Sequence, residues 1–380
     1  MTSSTRGGRG KIAVIQRLIP HYRIDFFSQL CERLPNVMIF HSTRVITDGL
    51  VQNDDFHFPN RRVMMIDYRY FCFQRLVWKM MRSDYDFIVL GLELRIVSNL
   101  MIWLASFFKK SKIIWWTHGY NVHNKHRNIM FYIDRIIKTL LMKYSHKILI
   151  YNKYNLDELI QWGIDPGKII ILNNTINELP HQQALDNVTA EEIAIVERKT
   201  RKSSHSLMLI GRLTPMKRID LFLEASKKLT AVYPDLRVFI IGDGSDRSRL
   251  EVDAQAMGLA DNVFFLGAIH DPVSLAPYMK LTDFFVLPGA VGLSFVHSMV
   301  SGVPFVTLQD SPHGPEVAYL RNNYNGYAAA NMDDMVNWLI DCFEHPEKIV
   351  TMKNNCLTMI KNEINMDGMV SHFVSAFQDK

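Results

Sequence analysis

The sequence predicts two tandem α/β domains, each a doubly wound parallel sheet, and three observations lead there. Short β-rich runs alternate with longer stretches of helical period along most of the chain. The alternation breaks once, in a polar stretch from Glu178 to Ser204, and then resumes. The length of 380 residues suits about two domains at roughly 100 to 200 residues each.

The first series of strand candidates comprises Ile12 to Gln16, Val37 to His41, Val63 to Asp67, Phe87 to Leu90, Ile113 to Trp116, Ile148 to Tyr151 and Ile169 to Leu172. The break carries Pro180, His181, Gln182, Gln183 and Asp186, then a Glu- and Lys-rich run, and reads as a linker with a helix inside. The second series is Leu207 to Gly211, Val238 to Gly242, Val263 to Gly267, Phe284 to Pro288 and Phe305 to Leu308, each followed by a helix candidate. Ile219, Phe222, Leu223, Ser226 and Leu229 set the helical spacing of the first of these; Met335, Leu339 and Cys342 do so near the end. The expected boundaries are therefore 1–178, a linker at 179–204, a second domain at 205–345, and C-terminal helices at 346–380 with room to cross back to the first domain. Doubly wound sheets bind ligands at the carboxyl ends of their strands, so the cleft between two such domains is the expected site.

Composition removes several classes. Hydrophobic residues are 48%, charged residues 21% and aromatics 11%, with 14 Pro and 19 Gly, which excludes a disordered or collagenous chain. A net charge of +5 suits anionic ligands but not a protein that coats nucleic acid, so no nucleic-acid partner is expected. The four cysteines, Cys31, Cys72, Cys342 and Cys356, have no Cys-x-x-Cys spacing; no zinc site or disulfide framework is expected, and a reducing, cytoplasmic setting fits. Met1 to Lys11 reads as a short tail without the apolar segment of a secretory signal. The longest lipid-like stretch, Leu100 to Phe108, is about half of the roughly 20 residues that a spanning helix needs.

The loops narrow the chemistry. QRLIPHYRI at Gln16 to Ile24 lacks the G-x-G-x-x-G of dinucleotide enzymes, and neither G-x-x-x-x-G-K-S/T nor H-E-x-x-H occurs. In the second domain GRLTPMKRID sets Arg212 and Lys217 in one loop after a strand, where a guanidinium fork and a mobile ammonium suit a diphosphate and the charge of a leaving nucleoside diphosphate. The alternative is a solvated basic loop. In DFFVLPGAVGLSFVHSMVSGVPFV, from Asp283 to Val306, a strand ends at Pro288 and a helix begins near Leu293 or Ser294, offering free backbone N–H groups to an anion. Gly289 and Gly292 permit a ligand to approach the backbone, or simply serve the turn.

With these motifs in place the sequence resembles the GT-B nucleotide-sugar glycosyltransferases, specifically family 4, of the polysaccharide-building type. The likeness rests on GRLTPMKRIDLFLEA, FIIGDGSDRSRLE, VFFLGAIHD, VLPGAVGLSFVHSMVSGVPFV and the NGY of Asn325 to Tyr327, over about the last 175 residues. PHYRIDFFSQL, WWTHGYN and NNTI carry it more loosely through the first half. The resemblance implies a GT-B fold of two Rossmann-like domains facing across a cleft and retaining, metal-independent sugar transfer from a nucleotide sugar, most readily a UDP- or GDP-sugar, with no other cofactor. It implies a diphosphate clamp of Gly211, Arg212 and Lys217, nucleobase contact through Gly267, Ala268 and Ile269, and a phosphate-holding helix start at Gly292, Leu293 and Ser294. It places His118 by the donor sugar and reaction centre, so that His118, Arg212 and Lys217 are the catalytic candidates.

The sequence departs from the family where a Glu normally stands eight positions before a second Glu. Those positions hold Gly289 and His297. An imidazole can still bond a ribose hydroxyl but cannot accept from two as a carboxylate can. Glu316, in HGPEVAYL, is a candidate substitute carboxylate or an ordinary helix-start Glu. No enzyme nucleophile is needed if the leaving diphosphate oxygen takes the acceptor proton. Two alternatives stay open, a nucleotide-sugar epimerase and a non-catalytic nucleotide-binding partner subunit of a transferase.

For the acceptor, a glycan or lipid-linked glycan, the resemblance points to Tyr22, Arg23 and Asn121. The run YRYFCFQRLVWKMMR, Tyr68 to Arg82, reads as an amphipathic helix that packs on the sheet or rests on an anionic membrane surface.

Overall fold

The computed structural model describes residues 10–42, 56–68, 70–119, 129–200 and 202–378. The chain divides into two compact units, one of Met1–Ile176 with Met366–Lys380 and the other of Asn177–Asn365. Asn121, Arg69 and most of the N-terminal tail lie outside the described residues.

The first unit contains strands β1 (Ile12–Ile15), β2 (Val37–Ser42), β3 (Asn60–Val63), β4 (Met65–Asp67), β5 (Cys72–Gln74), β6 (Phe87–Gly91), β7 (Lys112–Thr117), β8 (Lys147–Ile150) and β9 (Ile169–Ile171). Seven of them form one parallel sheet in the order β3-β2-β1-β6-β7-β8-β9. Its helices are α1 (Ile24–Arg33), α2 (Val77–Arg82), α3 (Val97–Ser106), α4 (Ile129–Lys143) and α5 (Leu156–Gln161), joined by the last helix of the chain. Alternate strand residues feed two separate cores. Val14, Ile39, Val89, Ile114 and Leu149 pack with Phe26, Phe27 and Leu30 of α1. Ala13, Phe40, Ile88, Leu90, Trp115 and Ile148 pack with Val77 and Met80 of α2, Ile102 of α3 and Leu141 and Met142 of α4. Burial on both faces is why these strands read as unbroken apolar runs.

In the second unit α6 (Leu179–Asp186) and α7 (Ala190–Lys199) precede the sheet. A capping box starts α7: the Glu192 N–H donates to Thr189 Oγ1 at 3.2 Å and the Thr189 N–H to Glu192 Oε2 at 2.8 Å. The stretch read as one helix inside a linker thus holds two, both packed on α10 (Pro272–Lys280). The strands are β10 (Ser206–Ile210), β11 (Arg237–Ile241), β12 (Val263–Gly267), β13 (Phe284–Val286), β14 (Phe305–Leu308) and β15 (Gly326–Ala329), ordered β12-β11-β10-β13-β14-β15 and all parallel. The other helices are α8 (Ile219–Thr230), α9 (Arg247–Ala256), α11 (Ser294–Val300), α12 (Met332–Glu344) and α13 (Pro346–Asn362). The chain ends in α14 (Met366–Ser375), which packs on α1 in the first unit through Met369, Val370 and Phe373.

Three elements differ from the sequence reading. The strand expected from Val63 to Asp67 breaks at Met64: β3 stays in the large sheet, while β4 turns away to pair antiparallel with β5. The helix expected across Tyr68 to Arg82 is confined to Val77–Arg82. Ahead of it the Tyr68 N–H donates to Phe71 O at 2.8 Å and β5 follows, as suits an aromatic-rich segment. After β14 comes a 3-10 turn, Pro315–Tyr319, in place of an α-helix, and β15 follows it as an unexpected sixth strand.

Each sheet reverses its winding once, between β1 and β6 and between β10 and β13. These reversals are where loops diverge and leave a crevice at the carboxyl ends.

Candidate functional site

At the reversal in the second unit the loop after β10 lies against the loop after β11. The Gly211 N–H donates to Ile241 O at 3.0 Å, and the Leu213 N–H to Asp243 O at 2.9 Å. No side chain fits between them: a Cβ on Gly242, where φ is +145°, would lie 1.9 Å from Gly211 O, and one on Gly244 would lie 2.3 Å from Leu213 O. The GDG of the sequence is therefore a spacing requirement that fixes the Arg212 loop. Next to them the Gly242 N–H donates to Gly267 O at 2.8 Å, which brings the end of β12, with Ala268 and Ile269 following, to the same edge of the sheet.

Pro215–Lys217 then form a 3-10 turn, and Arg218 enters α8 in the left-handed conformation, φ 49° and ψ 47°, with its guanidinium on Asp220 at 3.0 Å. This turn receives the loop after β13. The Gly289 N–H donates to Lys217 O at 3.1 Å, and the Ala290 N–H to Met216 O at 2.9 Å. In return the Lys217 ammonium donates to Ala290 O at 2.5 Å. A Cβ on Gly289 would sit 2.3 Å from the carbonyl carbon of Lys217 and 2.4 Å from Met216 O. Glycine at this position is thus a condition of the loop pairing, and an acidic side chain cannot stand there in this conformation.

The far side of the same loop is held by residues that the motifs did not reveal. The Ser311 hydroxyl donates to Pro288 O at 2.5 Å. His313 accepts from the Val291 N–H through Nδ1 at 3.3 Å and donates from Nε2 to Leu308 O at 2.7 Å, which fixes its tautomer. The Gly314 N–H donates to Val291 O at 2.8 Å. The HGPE stretch therefore acts as a backing for the PGAVG loop. Only its position directly before the candidate Glu316 could have drawn attention to it.

What the pinned loop leaves over are the N–H groups of Gly292, Leu293 and Ser294, which have no partner among the described residues. The Ser294 hydroxyl is likewise buried without one. Beside them, burial and then the charge of Arg212 push the Lys217 pKa down to about 8, against a smaller opposite pull from Glu316. Arg212 is exposed; Glu316 is buried, with a carboxylate oxygen 2.9 Å from where a Gly314 Cβ would be. His297, on α11, meets His181 of α6 edge to face, ring centroids 5.2 Å apart, and burial lowers the pKa of His181. Arg212, Lys217, Gly289, Gly292 and Glu316 thus belong to one neighbourhood, and no group of three or more metal-binding side chains occurs among the described residues.

In the first unit His118 directly follows β7. Its ring stacks on Tyr151, centroids 3.9 Å apart and planes 5° from parallel, and its carbonyl accepts from Asn155 Nδ2 at 2.6 Å. The residue keeps solvent access, yet the surrounding protein and then the charge of Arg23 push its pKa down to about 4. Arg23 itself is buried: it donates to Asn174 Oδ1 at 2.6 Å and lies over the rings of Trp116 and Tyr151. With Tyr22 it borders a pocket of about 190 Å³ at the β1 and β6 reversal, lined also by Gln16, Gln74 and Asn99. The Asn99 side chain donates to Gly91 O at 2.9 Å, while its own buried Oδ1 has no partner.

Comparison with known proteins fits this edge of the second unit. Residues 192–358 match the family Glycosyl transferases group 1. The chain is 22% identical over 256 residues to the alpha-monoglucosyldiacylglycerol synthase of Acholeplasma laidlawii, covering 62% of this chain and 63% of the relative. It is 29% identical over 133 residues to the poly(ribitol-phosphate) alpha-N-acetylglucosaminyltransferase of Staphylococcus aureus, covering 34% of this chain and 27% of that one. The chain therefore spans less than two thirds of either relative. Among solved structures, Anabaena HepE in complex with UDP superposes with a TM-score of 0.73 at 15% identity, over 96% of this chain and 98% of its own. At that identity the likeness speaks for the fold, which is that of the GT-B glycosyltransferases with two Rossmann-like halves.

Two substitutions check the loop pairing. Gly289→Ala should lower unfolding stability by about 1–3 kcal/mol, because its Cβ has nowhere to go without moving the Lys217 turn; urea denaturation reads this. In the same assay Arg218→Gly should stay within about 0.5 kcal/mol of the parent, whereas β-branched Arg218→Val should lose about 1–2 kcal/mol at the left-handed position.

Proposed function

We propose that the protein is a glycosyltransferase that moves a sugar from a nucleoside diphosphate donor, a UDP-sugar ahead of a GDP-sugar, to a glycan or lipid-linked glycan of a cell-surface polysaccharide or glycolipid. The observation that carries this reading is a half-buried ammonium, Lys217, seated on the loop whose N–H groups at Gly292, Leu293 and Ser294 are left unbonded, with Arg212 close by. Burying a charge beside another of the same sign is unfavourable unless an anion completes the set. The match to Glycosyl transferases group 1 and the UDP bound by Anabaena HepE support a nucleoside diphosphate as that anion.

In this reading the donor diphosphate lies across Arg212, Lys217 and the N–H groups of Gly292 to Ser294. Gly267, Ala268 and Ile269 meet the base, while His297 stands by the ribose hydroxyls. The bond between the sugar C1 and the β-phosphate oxygen breaks, and the acceptor oxygen bonds C1 on the same face. The departing phosphate oxygen takes the acceptor proton, so configuration is retained and neither an enzyme nucleophile nor a metal is required. Arg212 and Lys217 stabilise the charge that develops on the diphosphate. His118, neutral at pH 7 because its pKa is about 4, offers the sugar a hydrogen bond without competing for the diphosphate. Tyr22, Arg23 and Asn121 are assigned to the acceptor, and Glu316 to the donor sugar.

The test is a panel of UDP-, GDP-, dTDP- and ADP-sugars, read by thermal shift and by nucleoside diphosphate release with and without crude lipid-linked glycan. A shift with UDP-sugars and acceptor-stimulated release is expected. Donor consumed without acceptor would indicate an epimerase, binding without release a non-catalytic subunit, and absence of binding would sink the reading. Lys217→Met should weaken UDP binding about 10- to 100-fold, the worth of a charge-assisted contact of roughly 1.5–3 kcal/mol, without lowering the unfolding midpoint of the unliganded protein. Arg212→Ala should cut turnover while folding is kept.

A further inference from the structure

The pocket at the β1 and β6 reversal holds polar groups that the first unit itself leaves unsatisfied. Asn99 of α3 is 2% exposed; its amide donates to Gly91 O, and its Oδ1 is buried without a partner. Gln74 of β5 is 1% exposed and uses both amide hydrogens, one on Gln16 O at 3.0 Å and one on Ser42 Oγ at 2.8 Å. Those bonds orient the amide, and its Oε1 accepts from nothing among the described residues. An amide oxygen buried without a donor is unfavourable, and hydroxyl groups are the donors that a small ligand brings to it.

Arg23 is unsatisfied in a second way. It is 5% exposed, lines the same pocket, and uses two of the five N–H groups of a guanidinium, on Asn174 Oδ1 at 2.6 Å and on Met369 Sδ at 3.4 Å. The ring centroids of Tyr22, Phe26, Trp116 and Tyr151 lie 5.6, 5.7, 5.1 and 5.3 Å from it. Ring faces attract a cation but do not neutralise it, and no carboxylate pairs with Arg23 among the described residues. The other two charges of the lining, Arg17 and Glu93, face each other at 4.0 Å and balance. The pocket therefore keeps one positive charge and two oxygens that need donors.

We propose that this pocket takes one sugar ring that bears a carboxylate, a hexuronic acid residue at the end of the acceptor glycan. Its carboxylate lies on Arg23, and its ring hydroxyls donate to Asn99 and Gln74. The inference rests on the acceptor assignment above and narrows it to a substrate class. A guanidinium fork matches the two oxygens of a carboxylate. A phosphate, at about −1.5 to −2, carries more charge than one cation balances with Glu93 alongside. A neutral sugar would leave Arg23 without an anion. At about 190 Å³ the pocket is smaller than the roughly 300–1,000 Å³ of sites for drug-sized molecules, which suits a single ring.

The test is an NMR titration of the donor-free full chain with methyl glucuronoside, methyl glucoside and methyl glucoside 6-phosphate, with the UDP-induced thermal shift measured separately. The glucuronoside should bind about 10- to 100-fold more tightly than the neutral glucoside, the worth of a charge-assisted contact, and more tightly than the phosphate. Asn99→Ala should weaken glucuronoside and glucoside alike and keep their ratio, whereas Arg23→Met should bring that ratio to about one. Arg23 is packed among rings, so an exposed position supplies a second check on charge. Glu93→Gln, which frees Arg17, should tighten the glucuronoside about two- to fivefold and leave the glucoside unchanged. Equal affinity for the three sugars, tighter binding of the phosphate, or no sugar binding by a chain that UDP still shifts would overturn the proposal and leave the donor reading standing. Variants that bind both methyl glycosides like the parent would overturn it too. Glucuronoside bound by a chain that UDP does not shift would sink the donor reading and uphold the pocket.

Discussion

The Gly289 amide reaches the carbonyl of Lys217 only because nothing projects from its own α-carbon, and the rest of this end of the second unit depends on that approach. It draws the loop after β13 onto the turn before α8, carries Ala290 to Met216, and gives the Lys217 ammonium a carbonyl to hold. Ser311, His313 and Gly314 then brace the loop from behind. With every earlier amide of the loop engaged, those of Gly292, Leu293 and Ser294 remain for a ligand. Preorganised donors of this kind pay no reorganisation when charge develops on a leaving group.

Holding Lys217 there has a cost in the unliganded protein. An unfolded lysine titrates at about 10.5, and this one at about 8. A lysine with a depressed folded pKa opposes folding wherever it stays protonated in the fold, fully below about 8, and the penalty fades as pH rises toward the unfolded value. An anion that binds the ammonium reverses the shift, so this stability is given up for ligand affinity, as is common at functional sites.

Sequence and structure agree most closely where one physical signal dominated. The parallel strands were legible because burial on both faces demands continuous apolar runs, and the start of α11 was legible because a Gly loop followed a buried strand. The Val63 to Asp67 run misled because period-2 patterning does not say which partner a strand pairs with, and a single residue, Met64, divides it between two sheets. The Tyr68 to Arg82 run misled because its apolar and basic residues fit a helix and a strand equally well until the pairing of β4 with β5 is seen. In the site, the sequence offered Gly289 as the loss of an acidic side chain; its necessity for loop pairing appeared only with coordinates. His313 carried no motif at all, since its role is to satisfy a backbone amide that the loop exposes.

Proton linkage tests most directly whether Lys217 is a half-buried ammonium that takes a diphosphate. UDP would be titrated calorimetrically at pH 8.5 in two buffers of different ionisation enthalpy. With the free ammonium near pKa 8 and raised by the bound diphosphate, binding should take up more than half a proton per UDP, roughly, and affinity should fall as pH rises further. The uptake should vanish in Lys217→Met. Tight UDP binding with no proton uptake, or with the same uptake in that variant, would contradict the account.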